Sequence, residues 1–205
     1  WRAATDNDRG NGFVFRSAVW SAADRFVRCV KVTARMDEQE ISMPPAPENN
    51  KYNGDETCDR FEISYTYETP TVPVTEVTVS YLVESDGRIH VQVDYLGKQG
   101  LPELPVLGLR FLMPTAAEGY TYEGLSGETY PDRMAGGIPG TYRVQGLPVT
   151  PYLVPQDCGM HMQTKWVEIT RKTSLDNTDH AKSESKLRFV AEEGENFAFT
   201  CLPYT

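Results

Sequence analysis

Apolar side chains alternate with polar ones in three consecutive segments of the chain, 61–67, 77–83 and 89–95. Alternation with a period of two predicts strands of an antiparallel sheet with one buried face. The Asp86–Gly87 pair between the last two segments predicts a hairpin with a type I′ turn, because both central residues of that turn need positive φ.

Weaker patterns predict further strands on either side of these three. The segments concerned are 25–36, 163–171, 186–191, 196–202 and the more continuously apolar 106–113, which we interpret as a buried strand. About nine strands with little helix, at the turn spacing of a sandwich, predict an all-β fold. A length of 205 residues is common for a single all-β domain, so residues 1–205 are predicted to form one β-sandwich.

The charge balance excludes one large class of partner. The net charge is −9, and phosphate binding needs clustered Lys and Arg, which the chain lacks, so no nucleic-acid partner is expected. An apolar run of about 18 residues is also absent, so no membrane-spanning segment is predicted. The four cysteines are scattered without a C-x-x-C motif, which favours free thiols over a zinc or redox site.

Two polar segments have alternative interpretations. Asp6 and Asp8, followed by two glycines, have the spacing of a calcium loop, but the bidentate Glu at the twelfth position is missing. An Asx-rich turn is the favoured alternative. The proline-rich segment 37–59 is predicted to be a surface loop.

The segment 124–159 carries the densest group of candidate functional side chains. The candidates for a carbohydrate-binding or structural polar cluster are Glu128, Tyr130, Asp132, Arg133, Gln156 and Asp157. Polar and aromatic side chains on loops held by a β scaffold are what a sugar-recognising surface needs. The alternative is two polar connections in which Glu128 and Arg133 form a structural ion pair.

Catalysis by the chain itself is not favoured. A retaining glycosidase needs two carboxylates about 5 Å apart, and Glu128 and Asp132 are the nearest candidates in sequence. Neither follows a strand of a parallel barrel, where such pairs are usually placed. Among the histidines, His161 is the one expected to face a groove. We therefore predict no catalytic residue, no metal site and no cofactor in this chain.

Four ordered segments of the chain together resemble one known family. Residues 1–10, W-R-A-A-T-D-N-D-R-G, resemble the R-A-P-T-D-N-D-x-G opening of the C-terminal β-sandwich, or small-chain, domain of β-galactosidases of glycoside hydrolase family 2. Residues 128–133 resemble its E-N-Y-P-D-R motif, and residues 151–159 its P-Y-V-x-P-Q-E-N-G motif. Residues 197–205 resemble its closing F-x-F-x-x-x-P-Y-T segment.

This resemblance implies a galactose-mutarotase-like supersandwich within an enzyme that hydrolyses terminal β-galactosides. It also implies that the catalytic glutamates and metal ligands belong to a separate barrel domain, which would be the partner of this one in an oligomeric enzyme. A tryptophan that the family's sandwich adds to the sugar site would come after Thr205. The start at Trp1, without a methionine, indicates a piece of a longer chain. The compartment stays open between a bacterial cytoplasm and periplasm, because it cannot be read from this N-terminus.

Two motifs depart from the family pattern. Residues 124–128, G-L-S-G-E, lack the usual arginine and proline of G-R-G-P-x-E. Residues 156–159, Q-D-C-G, have a shorter carboxylate and a thiol in place of Glu and Asn. Any contact that those side chains make in the family must be altered here.

The leading hypothesis is a non-catalytic sandwich domain of a β-galactosidase that helps shape an active site on the barrel. A carbohydrate-binding module with a groove lined by Tyr130, Asp132, Arg133 and Gln156 is the alternative, followed by a sugar epimerase or mutarotase. Under the leading hypothesis, Glu128, Asp132 and Arg133 form a polar network that fixes the two loops.

Overall fold

The structure, a computed structural model, describes residues 1–42, 57–173 and 184–204. In this part of the chain there are eleven strands and only short helical turns. All strand pairs are antiparallel. The predicted all-β fold class is therefore confirmed. No helix among the described residues is long and apolar enough to cross a membrane.

The internal contacts of the chain group into two compact units. The first consists of Trp1–Arg2 and Asp8–Gly108, and the second of Ala3–Asn7 and Leu109–Thr205. The supersandwich and the single domain over residues 1–205 stay predictions.

The first unit contains a five-stranded sheet with the order β2-β1-β3-β4-β5. Its strands are β1 (Arg28–Met36), β2 (Gln39–Ile41), β3 (Arg60–Glu68), β4 (Glu76–Glu84) and β5 (Ile89–Asp94). The helical turns that precede them are α1 (Asp6–Gly10, which begins in the second unit), α2 (Phe13–Arg16) and the 3-10 turns Ala18–Trp20 and Ala23–Arg25.

The register of this sheet places the alternating apolar residues on one face. Tyr65 of β3 lies opposite Val79 of β4, which in turn lies opposite Val93 of β5. The three strands predicted from alternation at 61–67, 77–83 and 89–95 are confirmed. Side chains in register on one face stabilise the sheet as cross-strand pairs.

The turn between β4 and β5 is not the type I′ turn predicted from Asp86–Gly87. The Gly87 N–H donates to the Glu84 carbonyl at 2.9 Å, and the Glu84 N–H donates to the Arg88 carbonyl at 2.9 Å. Gly87, with φ of 87°, is the one residue of the turn with positive φ. A three-residue loop needs a left-handed conformation only at its last residue, so the type I′ prediction was wrong.

Residues 37–59 were predicted to be a surface loop, but the segment begins with a short turn followed by the strand β2. Asp37 and Glu38, with φ of 45° and 71°, form a tight two-residue turn that leads into β2. β2 pairs with β1. Positive φ at both positions is the geometry of a two-residue hairpin loop. Residues 43–56 of that segment lie outside the described residues.

The second unit contains a four-stranded sheet, ordered β10-β9-β6-β7, and a two-stranded sheet, β11-β8. Its strands are β6 (Ala117–Leu125), β7 (Pro139–Gln145), β8 (His161–Thr164), β9 (Trp166–Arg171), β10 (Ser185–Val190) and β11 (Phe197–Phe199). The strand predicted at 163–171 therefore divides at Lys165, which belongs to neither β8 nor β9.

Sequence reasoning missed β6 and β7 because glycines interrupt the pattern of β6. At Gly119, where φ is 153°, an added Cβ would lie 2.3 Å from the carbonyl oxygen of Val144 on β7. Glycine inside a strand often marks such a close approach of a neighbouring backbone. The glycine that weakened the strand prediction is thus the residue that allows β6 and β7 to pack closely.

The buried strand predicted at 106–113 is wrong. This segment forms no strand pairing with the described residues, and its aliphatic side chains are largely accessible, with Leu107 55% and Leu112 76% exposed. Phe111 contacts the Phe189 ring of β10 at 5.0 Å between centroids. A run of apolar residues does not by itself form a strand, because a strand also needs a neighbour for its backbone hydrogen bonds.

The core of the second unit is aromatic. Tyr120 and Tyr122 of β6 and Val167 of β9 are 1–3% exposed. The Phe199 ring of β11 contacts both tyrosine rings, at centroid distances of 5.4 and 5.5 Å. Edge-to-face pairs of this kind add stability beyond the area that they bury. The core therefore fixes the position of β6, and the loop with the candidate functional residues begins where β6 ends, after Leu125.

We expect Gly119→Ala to destabilise the second unit, because the new methyl group would overlap the Val144 carbonyl. Overpacking of this kind costs about 1–3 kcal/mol. Thermal unfolding followed by near-UV circular dichroism measures the loss. Gly10→Ala is the matched control, since a Cβ there would meet no atom within 4 Å. Equal melting temperatures for the two variants would contradict the role of Gly119.

Candidate functional site

The loop after β6 is closed by a tight turn around Pro131. The Tyr130 N–H donates to the Arg133 carbonyl at 3.2 Å, and the Arg133 N–H donates back to the Tyr130 carbonyl at 2.9 Å. Proline favours the first central position of such a turn because its ring fixes φ. The turn brings the Arg133 guanidinium over the Tyr130 ring, 5.1 Å from its centroid.

The carboxylate of Glu128 joins this loop to the loop that precedes β8. Arg133 Nη2 lies 3.3 Å from Glu128 Oε1 and donates to the Tyr152 hydroxyl at 3.2 Å. The hydroxyls of Thr150 and Tyr152 both donate to Glu128. We call these four residues, Glu128, Arg133, Thr150 and Tyr152, the Glu128 brace. It ties together two loops that are about twenty residues apart in sequence.

The brace keeps Glu128 ionised. Burial is the largest single influence on this carboxyl and opposes its charge, but the hydrogen bonds from Thr150, Tyr152 and the Gly159 backbone together outweigh it. The pKa of Glu128 is therefore lowered. A carboxylate that accepts several hydrogen bonds is stabilised in its charged form, so Glu128 acts as an acceptor that orders its surroundings.

The other predicted polar residues have different partners. Asp132 Oδ2 accepts a hydrogen bond from Asn7 Nδ2 at 2.8 Å, and Gln156 Oε1 accepts one from the Asp6 N–H at 3.1 Å. The structure thus joins Glu128 to Arg133 but turns Asp132 away from that pair. Asp132 and Gln156 instead bind residues near the start of the chain.

Tyr130 is buried in the same loops, and Asp157 is half-buried. Tyr130 is 7% exposed. Burial, followed by the charges of Glu128 and Asp157, raises its pKa. One face of its ring is covered by Arg133. A ring that is buried in this way offers no open face on which a sugar can stack.

Sequence reasoning missed the two hydroxyl donors of the brace. Thr150 and Tyr152 flank Pro151, and the Tyr152 N–H donates to the Thr150 carbonyl at 3.1 Å across that proline. A three-residue turn of this type places the two hydroxyls beside the same carboxylate. The sequence does show two hydroxyl side chains around a proline. It does not show that they donate to Glu128, because Glu128 is more than twenty residues away.

Comparisons with known proteins bear on the whole chain. The family described as Beta galactosidase small chain matches residues 1–205. The chain is 58% identical, over all 205 residues, to a protein named beta-galactosidase small subunit from Latilactobacillus sakei. The chain belongs to the β-galactosidase small-chain family.

Two longer proteins named beta-galactosidase are less similar to this chain. Beta-galactosidase BgaC of Bifidobacterium adolescentis is 29% identical over the whole chain, and a beta-galactosidase of Clostridium acetobutylicum is 36% identical over 69% of it. The chain spans 64% of the length of the Latilactobacillus sakei small subunit. It spans 17% of BgaC and 14% of the Clostridium acetobutylicum protein. Similar sequences therefore occur both in a protein named a small subunit and within longer proteins named beta-galactosidase.

His161 does not face a groove. Its side chain is 5% exposed and lies 4.4 Å from the Tyr122 ring between centroids. Nδ1 is 2.8 Å from the Gly127 carbonyl, and Nε2 is 2.8 Å from the Tyr120 hydroxyl. Since a carbonyl only accepts, Nδ1 carries the proton and Nε2 accepts from Tyr120. The expectation of a groove-facing imidazole was wrong, because β8 places His161 in the aromatic core.

The two acidic residues near the start of the chain lie in a short helix. Asp6 and Asp8 lie in α1, and Arg2 binds both oxygens of the Asp8 carboxylate, at 2.5 and 3.1 Å. No group of three His, Cys, Asp or Glu side chains in the described part of the chain has the geometry to hold a metal ion. The four cysteines are free thiols, as the sequence predicts.

We expect Glu128→Gln to lower the melting temperature at pH 7, because the amide places N–H groups against hydroxyl donors. Loss of hydrogen bonds to a buried charged group costs about 1–3 kcal/mol. Arg133→Ala should cost less, since the Arg133 side chain is 57% exposed and exposed ion pairs contribute about 0–1 kcal/mol.

The difference in melting temperature between wild type and Glu128→Gln is expected to depend on pH. Because the pKa of Glu128 is lower in the folded protein, its contribution to stability is complete above the unfolded pKa of about 4.3. It is lost as the pH falls through the folded pKa. The difference in melting temperature between wild type and Glu128→Gln should therefore shrink as the pH is lowered from 7 to 3. A difference of constant size would contradict the assignment.

We expect the His161 imidazole to remain mostly neutral at pH 6.5, where an unperturbed histidine is about half protonated. Burial is the main reason, since it lowers the pKa of His161. The ¹⁵N chemical shifts of labelled histidine report both the charge and the tautomer. Shifts of an imidazolium, or of the Nε2-protonated tautomer, would contradict this hydrogen-bond assignment.

Proposed function

We propose that this chain is the non-catalytic sandwich part of a β-galactosidase small subunit, which acts together with a large chain that carries the catalytic barrel. The observation that carries the proposal is the 58% identity to a small subunit over every residue of the chain. Identity to single-chain β-galactosidases is lower, at 29–36%. This difference favours a separate small subunit over a domain of a longer enzyme.

The chemistry of the Glu128 brace supports a non-catalytic role. The acid/base residue of a glycosidase has a raised pKa, which keeps it protonated until it donates to the leaving group. The pKa of Glu128 is lowered, and its oxygens already accept from two hydroxyls and Arg133. Asp132, the second candidate of the pair, binds Asn7. Glu128 is therefore not arranged as the proton donor of glycoside cleavage, and Asp132 is turned towards Asn7 rather than towards Glu128.

The proposed contribution of the chain is to hold two loops in place beside the large chain. The brace and the aromatic core hold two loops in fixed geometry, and loops held by a rigid scaffold are suited to completing a site on a neighbouring chain. The substrate in this proposal is a terminal β-galactoside, bound on the large chain. No metal or cofactor is assigned to the small chain.

Complementation tests this proposal. We expect neither the full small chain nor its large partner to hydrolyse a chromogenic β-galactoside when purified alone, and co-expression to yield an active complex that co-purifies. An unrelated β-sandwich domain co-expressed with the large chain is the control. The proposal would be overturned by turnover from the purified small chain that is abolished in Glu128→Gln.

Sugar binding by the small chain itself is tested separately by isothermal titration calorimetry with galactose, lactose and galactan. We expect no binding heat at millimolar ligand, because Tyr130 has no open ring face. Saturable heat that is lost in Arg133→Ala would instead support the carbohydrate-binding alternative.

A further inference from the structure

The turn between α1 and α2 contains an asparagine followed by a glycine, Asn11 and Gly12. Asn11 is exposed, and Gly12 has a left-handed φ of 73°, a conformation that favours glycine. In such a pair the main-chain nitrogen of the glycine can attack the side-chain amide carbon of the asparagine, because no Cβ hinders the approach. The conformation that favours glycine at position 12 therefore also places an unhindered nucleophile next to Asn11.

A hydrogen bond polarises the side-chain carbonyl of Asn11. The Phe13 N–H donates to Asn11 Oδ1 at 2.9 Å. Attack on the amide carbon places negative charge on this oxygen, and an N–H donor aimed at a developing oxyanion stabilises it. The same bond restrains the side chain, so less freedom of rotation is lost when a ring closes.

The attacking nitrogen is activated through its own peptide group. Arg16 Nη1 donates to the main-chain carbonyl of Asn11, which shares its peptide bond with the Gly12 nitrogen. A cation at this carbonyl stabilises the negative charge that the peptide group acquires when the Gly12 N–H loses its proton. The Gly12 N–H donates only a long bond, of 3.4 Å, to the Arg9 carbonyl, so hydrogen bonding does little to oppose that loss.

We propose that Asn11 is a site of spontaneous covalent modification, at which the Phe13 N–H and the Arg16 guanidinium promote ring closure onto Gly12. The Gly12 nitrogen loses its proton to water and bonds to the side-chain carbon of Asn11, and the side-chain nitrogen leaves as ammonia. Water then adds to either carbonyl of the resulting succinimide ring, which leaves aspartate or isoaspartate at position 11. The product adds one negative charge beside Arg16.

Tryptic peptide mapping of the full small chain tests this proposal. Cleavage after Arg9 and Arg16 gives the peptide G-N-G-F-V-F-R, residues 10–16, in which Asn11 is the one asparagine. After incubation at 37 °C and neutral pH, we expect this peptide to gain the mass of an amide-to-acid change and to separate into two chromatographic forms. The second Asn-Gly pair, at 53–54, lies outside the described residues and falls in a different tryptic peptide.

Asn196 is the internal control. It is also exposed, but the next residue is Phe197, whose side chain hinders attack by the following nitrogen. Asn196 lies in the tryptic peptide that begins at Phe189, so its conversion is measured in the same digest. We expect conversion of Asn11 to be detected well before conversion of Asn196. Conversion of Asn11 that is no faster than that of Asn196 would overturn the site.

Arg16→Gln tests the role of the guanidinium. Arg16 is exposed, so this variant should fold, and its melting temperature verifies that it does. We expect the folded variant to convert Asn11 about threefold more slowly than wild type, since an exposed charge makes only a modest contribution. Arg16→Lys keeps the charge without the planar group and should react at an intermediate rate.

The same variants in urea separate the effect of the folded turn from that of the Asn-Gly pair. Because the contact between Arg16 and the Asn11 carbonyl is lost on unfolding, wild type and Arg16→Gln should react at equal rates in urea. A folded Arg16→Gln chain that reacts as fast as folded wild type would overturn the proposed activation. These measurements use the small chain alone, so their outcome is independent of the proposed large partner.

Discussion

The ionised carboxylate of Glu128 is the interaction on which the candidate site depends. It is the shared acceptor of donors from two loops, because Arg133 comes from its own loop and Thr150 and Tyr152 come from the next. Burying a carboxylate is costly unless hydrogen bonds replace the lost water. Here those bonds outweigh the cost of burial, so the charge is retained and the loops are ordered around it.

This arrangement also limits what the site can do chemically. A carboxylate whose oxygens are occupied and whose pKa is lowered is a poor proton donor at neutral pH. The same interactions that fix the loops therefore make Glu128 unsuitable as a glycosidase acid. This is consistent with the proposed division of roles, in which the small chain supplies a fixed surface and the large partner supplies the reacting groups.

Rigidity of this surface comes from two sources of different kinds. The aromatic core around Tyr122 and Phe199 anchors β6 and β11 by packing. His161 joins the core to the loop through Tyr120 and the Gly127 carbonyl, one residue before Glu128. A neutral imidazole between a hydroxyl and a carbonyl links the core to the brace without placing a second charge in the interior. The loop that carries Thr150 and Tyr152 is thus connected to the core by a series of hydrogen bonds.

The sequence alone determined the all-β class and the strands β3, β4 and β5, because alternation with a period of two requires only neighbouring residues. The family followed from the resemblance of four ordered motifs. Tertiary structure decided the rest. β6 forms although glycines interrupt its alternation, because Gly119 allows the backbone of β7 to approach closely. The apolar segment 106–113 has no neighbouring strand among the described residues. Tertiary structure also placed the hydroxyls of Thr150 and Tyr152 beside Glu128 and turned Asp132 towards Asn7. Hydrogen-bond partners distant in sequence are selected by how the loops are brought together, and no local pattern encodes that choice.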